Sequence, residues 1–169
     1  MISRLEVLRW EVDRLIRKNQ PENDAYFFSH LYGVSNFCTL LAIKRNLNEE
    51  IAAACGMLHD IAVVLTGDST QHGKRGAILA EPILRKLGLY TNEEIATITS
   101  AISKHSKKKA VHGAYDEVVK DADVMHHCMY DTSAPVSDKE TTRYVSILDE
   151  LGCTAVEHDA AFEQRLNSV

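Results

Sequence analysis

An all-α fold follows from three features of the chain. Apolar residues recur at spacings of three and four in nearly every segment. No stretch alternates apolar and polar residues as a half-buried strand does. Helix-start signals of the Ser/Thr-x-x-Glu type recur at helix-length intervals. The expected architecture is one compact domain over residues 1–169, a bundle of about seven to eight helices.

The elements follow in order. Leu5, Leu8, Val12, Leu15 and Ile16 form one stripe over residues 3–18. Pro21 separates it from a long helix near 23–46, with Phe27, Leu31, Val34, Cys38 and Leu41 turned inward. Asn48 is placed to cap a third helix running through Asp60 or a little beyond. Thr66-Gly67-Asp68-Ser69-Thr70 reads as a loop. A helix over about 72–87 stops at Gly88, a suitable left-handed terminator. Thr91 with Glu94, Ser137 with Glu140 and Thr154 with Glu157 open helices near 92–105, 138–151 and 155–166. A further helix near 115–130 has no comparable start signal.

Composition narrows the class. With 169 residues, 45% hydrophobic and 25% charged, the chain can bury one sizeable core. A net charge of −5 argues against binding a nucleic-acid polymer, which requires Lys and Arg to neutralise phosphates. Cys38, Cys55, Cys128 and Cys153 include no CxxC pair and each reads as a small buried hydrophobe. That usage suits a reducing compartment. The charged opening Met1-Ile2-Ser3-Arg4-Leu5-Glu6 resembles neither a signal peptide nor a span. The expectation is a cytoplasmic protein off the membrane, and a homodimer is compatible with it.

Chemistry concentrates at His59-Asp60, set in the apolar run Ile51-Ala52-Ala53-Ala54-Cys55-Gly56-Met57-Leu58 and Ile61-Ala62. A carboxylate buried there needs a cation, and no Lys or Arg is near in sequence. A metal would meet that need and use His59 too; a solvated helix end would remove it. His30 lies mid-helix among Tyr26, Phe27, Leu31 and Val34, where a core histidine is the simpler reading. Asp121 and Asp123 lie about 200° apart on a helix, so they cannot share a site. Asp123 falls near the inner edge, with surface charge as its alternative, and Asp121 is expected in solvent.

His72-Gly73 opens a helix whose free N–H groups, with Lys74 and Arg75, could attract an anion. His105 closes another, where the macrodipole also favours a cation. Lys104, Lys107, Lys108 and Lys109 read as a solvated face with room for phosphate attraction. His112, His126, His127 and His158 are expected to be peripheral, although His126 and His127 lie three and four residues beyond Asp123.

Taken together, His30, His59-Asp60 and Asp123 resemble the signature of the HD superfamily of metal-dependent phosphohydrolases. The likeness spans about 25–130, with helices from 131–169 expected to pack on that core. His72 and His105 resemble the extra ligands of two-metal members, and His72-Gly73-Lys74-Arg75-Gly76-Ala77 resembles the branch acting on dinucleoside polyphosphates. The chain differs from that pattern at Ala62-Val63-Val64, where a Lys or Glu is frequent, and at Ser106, where a second histidine is frequent.

The resemblance implies a divalent metal (Fe, Mn, Co, Ni, Zn or Mg), one or two per chain, held by His30, His59, Asp60, His72, His105 and Asp123. Asp60, His72 and His105 would then serve catalysis through an activated water, and Lys74 and Arg75 would contact phosphate. The implied activity is hydrolysis of a nucleotide or other small phosphate ester. A di-iron oxygenase of the same family and a non-catalytic, metal-stabilised binding module are the alternatives.

Overall fold

Helix α1 (Arg4–Asn19) starts where the Ser3 hydroxyl accepts from the Glu6 N–H, and it buries Leu8, Val12, Leu15 and Ile16. The computed structural model describes residues 2–132 and 136–153. α2 (Asp24–Lys44) packs on both α3 (Glu49–Leu58) and α7 (Ala114–Tyr130), which makes it the spine of the bundle. α1 lies across α3 and the short α4 (Ile61–Thr66). α5 (His72–Leu87) pairs with α6 (Asn92–Lys104), and α8 (Asp138–Glu150) covers α7. Among the described residues there are eight helices and no strand.

The start signals act at most of the expected places. Asn48 Oδ1 accepts from the Glu50 and Ile51 N–H groups at 3.0 Å each. Thr91 and Glu94 close a reciprocal capping box. Gly88 ends α5 at φ +67, a conformation that costs a residue with a Cβ. Ser137 precedes α8, but its hydroxyl donates to the Glu140 carboxylate at 2.6 Å instead of capping the helix. α7 does have a start device: the Asp116 carboxylate at its third position accepts from the Gly113 N–H at 3.0 Å. The helix expected at 155–166, its Thr154–Glu157 box and His158 lie outside the described residues.

Two expectations need correction. The third helix does not run through Asp60. α3 ends at Leu58, and Asp60, at φ −106 and ψ 21, opens α4. The Asp60 carbonyl accepts from Val63 and Val64, so hydrogen bonding restarts there; His59 keeps helical dihedrals and Asp60 departs from them. Cysteine burial is also uneven: Cys38 and Cys55 are buried, Cys128 is partly covered and Cys153 is exposed.

Gly56 sets how closely α2 and α3 approach. A Cβ there would lie 2.6 Å from Ser35 Cα and 2.8 Å from Ser35 N, which are backbone atoms and cannot swing aside. The core that fills this contact includes Leu31, Val34, Cys38, Ala52, Cys55, Leu58 and Ile102, all fully buried. Among the described residues no helix is long and apolar enough to cross a membrane.

Candidate metal centre

Five elements converge on one point. His30 comes from the middle of α2, His59 and Asp60 from the α3–α4 break, His72 from the first turn of α5, His105 from just past α6 and Asp123 from α7. At the α3–α4 break, consecutive residues face the same space, with His59 Nε2 and Asp60 Oδ2 3.6 Å apart.

The donors divide into two lobes. In the first, His30 Nε2 and His59 Nε2 are 3.1 Å apart. Asp60 Oδ2 lies 3.5 Å from His30 and 3.6 Å from His59, and Asp123 Oδ1 lies 3.7 Å from each. In the second, His72 Nε2 and His105 Nε2 are 2.9 Å apart, with Asp60 Oδ1 3.5 and 3.4 Å away. Asp60 therefore gives one oxygen to each lobe.

The chemistry of these residues suits divalent metal. His59 Nδ1 faces the Gly56 carbonyl at 2.8 Å, His72 Nδ1 that of Ser69 at 2.8 Å, and His105 Nδ1 that of Ile102 at 2.7 Å. A carbonyl can only accept, so each Nδ1 carries the proton and donates, and each Nε2 turns a lone pair inward. Lone pairs facing one another at 2.9 Å need a cation between them. Asp60 Oδ1 and Asp123 Oδ1 are likewise buried with no hydrogen-bond donor, a costly state unless a cation is bound. Metal–ligand bonds of about 2.0–2.2 Å place neighbouring donors about 3.0–3.4 Å apart, close to the separations found.

The electrostatics keep the donors in their ligand forms. Burial lowers the His59 pKa to about 4, so the ring is neutral at ordinary pH. Burial would raise Asp60, but its electrostatic interaction with the surrounding rings, His59 first and then His105 and His30, outweighs it and holds the carboxyl well below its usual range. Asp123 is also held low, because Lys108, His59 and His127 together outweigh its burial.

All six expected ligands meet here, whereas the two expected phosphate contacts do not. Arg75 donates to Asp68 Oδ2 at 2.5 Å, Thr66 Oγ1 at 2.9 Å and the Thr70 carbonyl at 3.0 Å, so it fastens the 66–70 loop. Lys74 is exposed, and neither residue lines the cleft beside the metal centre. Asp121 is not in solvent: it is 5% exposed and receives Arg45 at 2.6 Å and Arg143 at 2.5 Å. It does point away from Asp123, as the helical geometry requires.

Other residues take roles at the centre that their sequence positions hide. Lys108 Nζ sits 2.5 Å from Asp123 Oδ2. His127 Nε2 is 3.3 Å from Asp123 Oδ1, and its Nδ1 is 3.1 Å from Glu140 Oε1 on α8. His126 Nδ1 meets His30 Nδ1 at 3.1 Å, doing for His30 what carbonyls do for the other three rings. Gly33 makes room for it, since a Cβ there would come 2.2 Å from His126 Cδ2. Burial, reinforced by His30 and His127, lowers the His126 pKa to about 4, so its neutral ring can accept from His30. His112 lies apart, 2.6 Å from the buried Lys120 Nζ.

Comparison with known proteins agrees with this geometry. Residues 27–128 match the family model of the HD domain. The chain belongs to the HD domain family. Its fold is similar to the crystal structure of a predicted HD superfamily hydrolase from an uncultured Thermotogales bacterium. The TM-score is 0.56 at 18% identity, over 89% of this chain and 96% of that one. No curated protein matches the chain significantly. HD domains bind divalent metals, and the His and Asp clusters here suit that chemistry.

Proposed function

We propose that this HD domain is a metal-dependent phosphohydrolase acting on a nucleotide or other small phosphate ester. His30, His59, Asp60 and Asp123 would hold one divalent metal, and Asp60, His72 and His105 a second. The observation that carries the reading is the Asp60 carboxylate, whose two oxygens face different histidine pairs. It lies on the wall of a cleft of about 580 Å3 that also meets His72, His105 and Lys107–Lys109.

Divalent metals held there supply Lewis acidity towards a phosphoryl oxygen and acidify water from a pKa of about 15.7 towards neutrality. The protein's own groups do the rest. Neutral His59 and ionised Asp60 remain available as ligands at neutral pH. The carbonyls of Gly56, Ser69 and Ile102 fix three ring orientations, and Lys108 anchors Asp123. Lysines on the rim draw an anionic ester towards the centre.

The test is turnover of a panel of nucleotides and aryl phosphates by protein reconstituted separately with Mn, Co, Fe, Ni, Zn and Mg. Phosphate release that needs metal and disappears in Asp60→Ala, with helicity retained, supports the proposal. Equal release by Asp60→Ala, or none from any pairing of metal and ester, refutes it.

A further inference from the structure

The cleft beside the metal centre does not end there. A second cleft, of about 600 Å3, runs between α7 and α8, and both are lined by Lys108, Lys109 and Lys139. Together they form a path from Asp60 and His105 out along α8.

Most of the carboxylates along this path are already matched; Asp138, which also lines the second cleft, is the exception among the described residues. Asp123 receives Lys108. Glu140 receives His127 and Ser137. Arg143 binds Glu117 and Asp121, and Arg45 binds Asp121 and Glu150. Lys107, Lys109 and Lys139 are exposed, and their side chains form no hydrogen bond or ion pair with the described residues. A chain with net charge −5 thus keeps three uncompensated cations beside its metal centre, with others, Lys18, Lys44 and Lys74, placed elsewhere.

The backbone carrying them is also fixed from beneath. Arg143 Nη2 donates to the Lys108 carbonyl at 2.7 Å, and the buried Lys120 Nζ donates to the Ala110 carbonyl at 2.7 Å. Little ordering of the main chain is left for a ligand to accomplish, which favours binding.

We infer that the substrate carries a second anionic group, phosphate or carboxylate, besides the phosphate that meets the metals, and that Lys109 and Lys139 bind it. This inference rests on the phosphohydrolase reading for the first group and adds the class of substrate. A ligand with one anion would fill only the metal end of the path, whereas one with two, joined by a short spacer, would also reach the unmatched lysines. Charge-assisted contacts in a partly desolvated cleft are the stronger kind of hydrogen bond.

The test compares two probes that cannot be hydrolysed, ethylphosphonate and butane-1,4-diyl bisphosphonate, by titration calorimetry on metal-loaded protein. The bisphosphonate is expected to bind at least tenfold more tightly, beyond the twofold owed to its two equivalent ends. Lys109→Ser/Lys139→Ser should bring that ratio to about two. Lys18→Ser/Lys86→Ser, with the same change in net charge far from the path, should leave it intact. Equal affinities in the wild type, or a ratio that survives in Lys109→Ser/Lys139→Ser, would overturn the inference. The ratio is independent of turnover, so failure to hydrolyse any ester would refute the phosphohydrolase reading while leaving the anion subsite to stand or fall on its own.

Discussion

At the scale of single residues, the centre depends on tautomers. Three candidate ligand histidines are oriented by main-chain carbonyls and the fourth, His30, by another side chain, so His126 is the replaceable support. His126→Leu is expected to weaken metal binding about 10–100-fold, as loss of a ligand's orienting partner does, while helicity persists; competition with a fluorescent chelator measures it. Unchanged affinity would show that His30 needs no such support. The His, His-Asp, Asp pattern made the candidate ligands legible in the sequence. The supports were not, because His126, Lys108 and Glu140 gain their meaning only from packing. The burial of Asp121 is hidden for the same reason: a helical wheel of α7 cannot show that Arg45, just past α2, and Arg143 of α8 converge on it.

pH adds a second test at this scale. His59 titrates near 4 in the folded protein and near 6.5 when unfolded. Between those values the unfolded chain binds more protons, so stability must fall as pH falls from about 6.5 to 4. The slope is up to about 1.4 kcal/mol per pH unit for this one ring. Calorimetric melting of metal-free protein across that window should show a declining Tm. A Tm that rises towards pH 4 would mean that His59 is not held neutral by burial.

Among elements, the α2–α3 contact and the α3–α4 break matter most. Gly56→Ala exchanges a gain in helix propensity of about 1 kcal/mol against a Cβ placed 2.6 Å from the Ser35 backbone. Overpacking of that kind costs about 1–3 kcal/mol and here meets main chain, so net destabilisation is expected in urea unfolding. A stabilised variant would mean that α2 and α3 can separate freely. Most helices were legible from periodicity and caps, with ends near Asn48, Gly88 and Thr91 as expected. The break at Asp60 was hidden because Ile61, Ala62 and Val64 continue the apolar run, and only the placement of its side chains reveals the restart.

Across the whole molecule, the candidate metal centre joins α2, the α3–α4 break, α5, α6 and α7, whose donor side chains meet only in the folded chain. Metal binding should therefore stabilise the fold. At a free metal concentration a thousand times Kd, one site adds about 4 kcal/mol, worth several degrees of Tm. A chelator should reverse the gain, and a Tm indifferent to both would place the metal outside the native core.

The central claim is that Asp60 joins two metal sites. It is tested most directly by elemental analysis of tag-free protein, loaded anaerobically and freed of excess metal, for the wild type and for His72→Ala/His105→Ala. The account predicts close to two metals per chain in the wild type and close to one in the variant. One or none in the wild type, or the same number in both proteins, would contradict it.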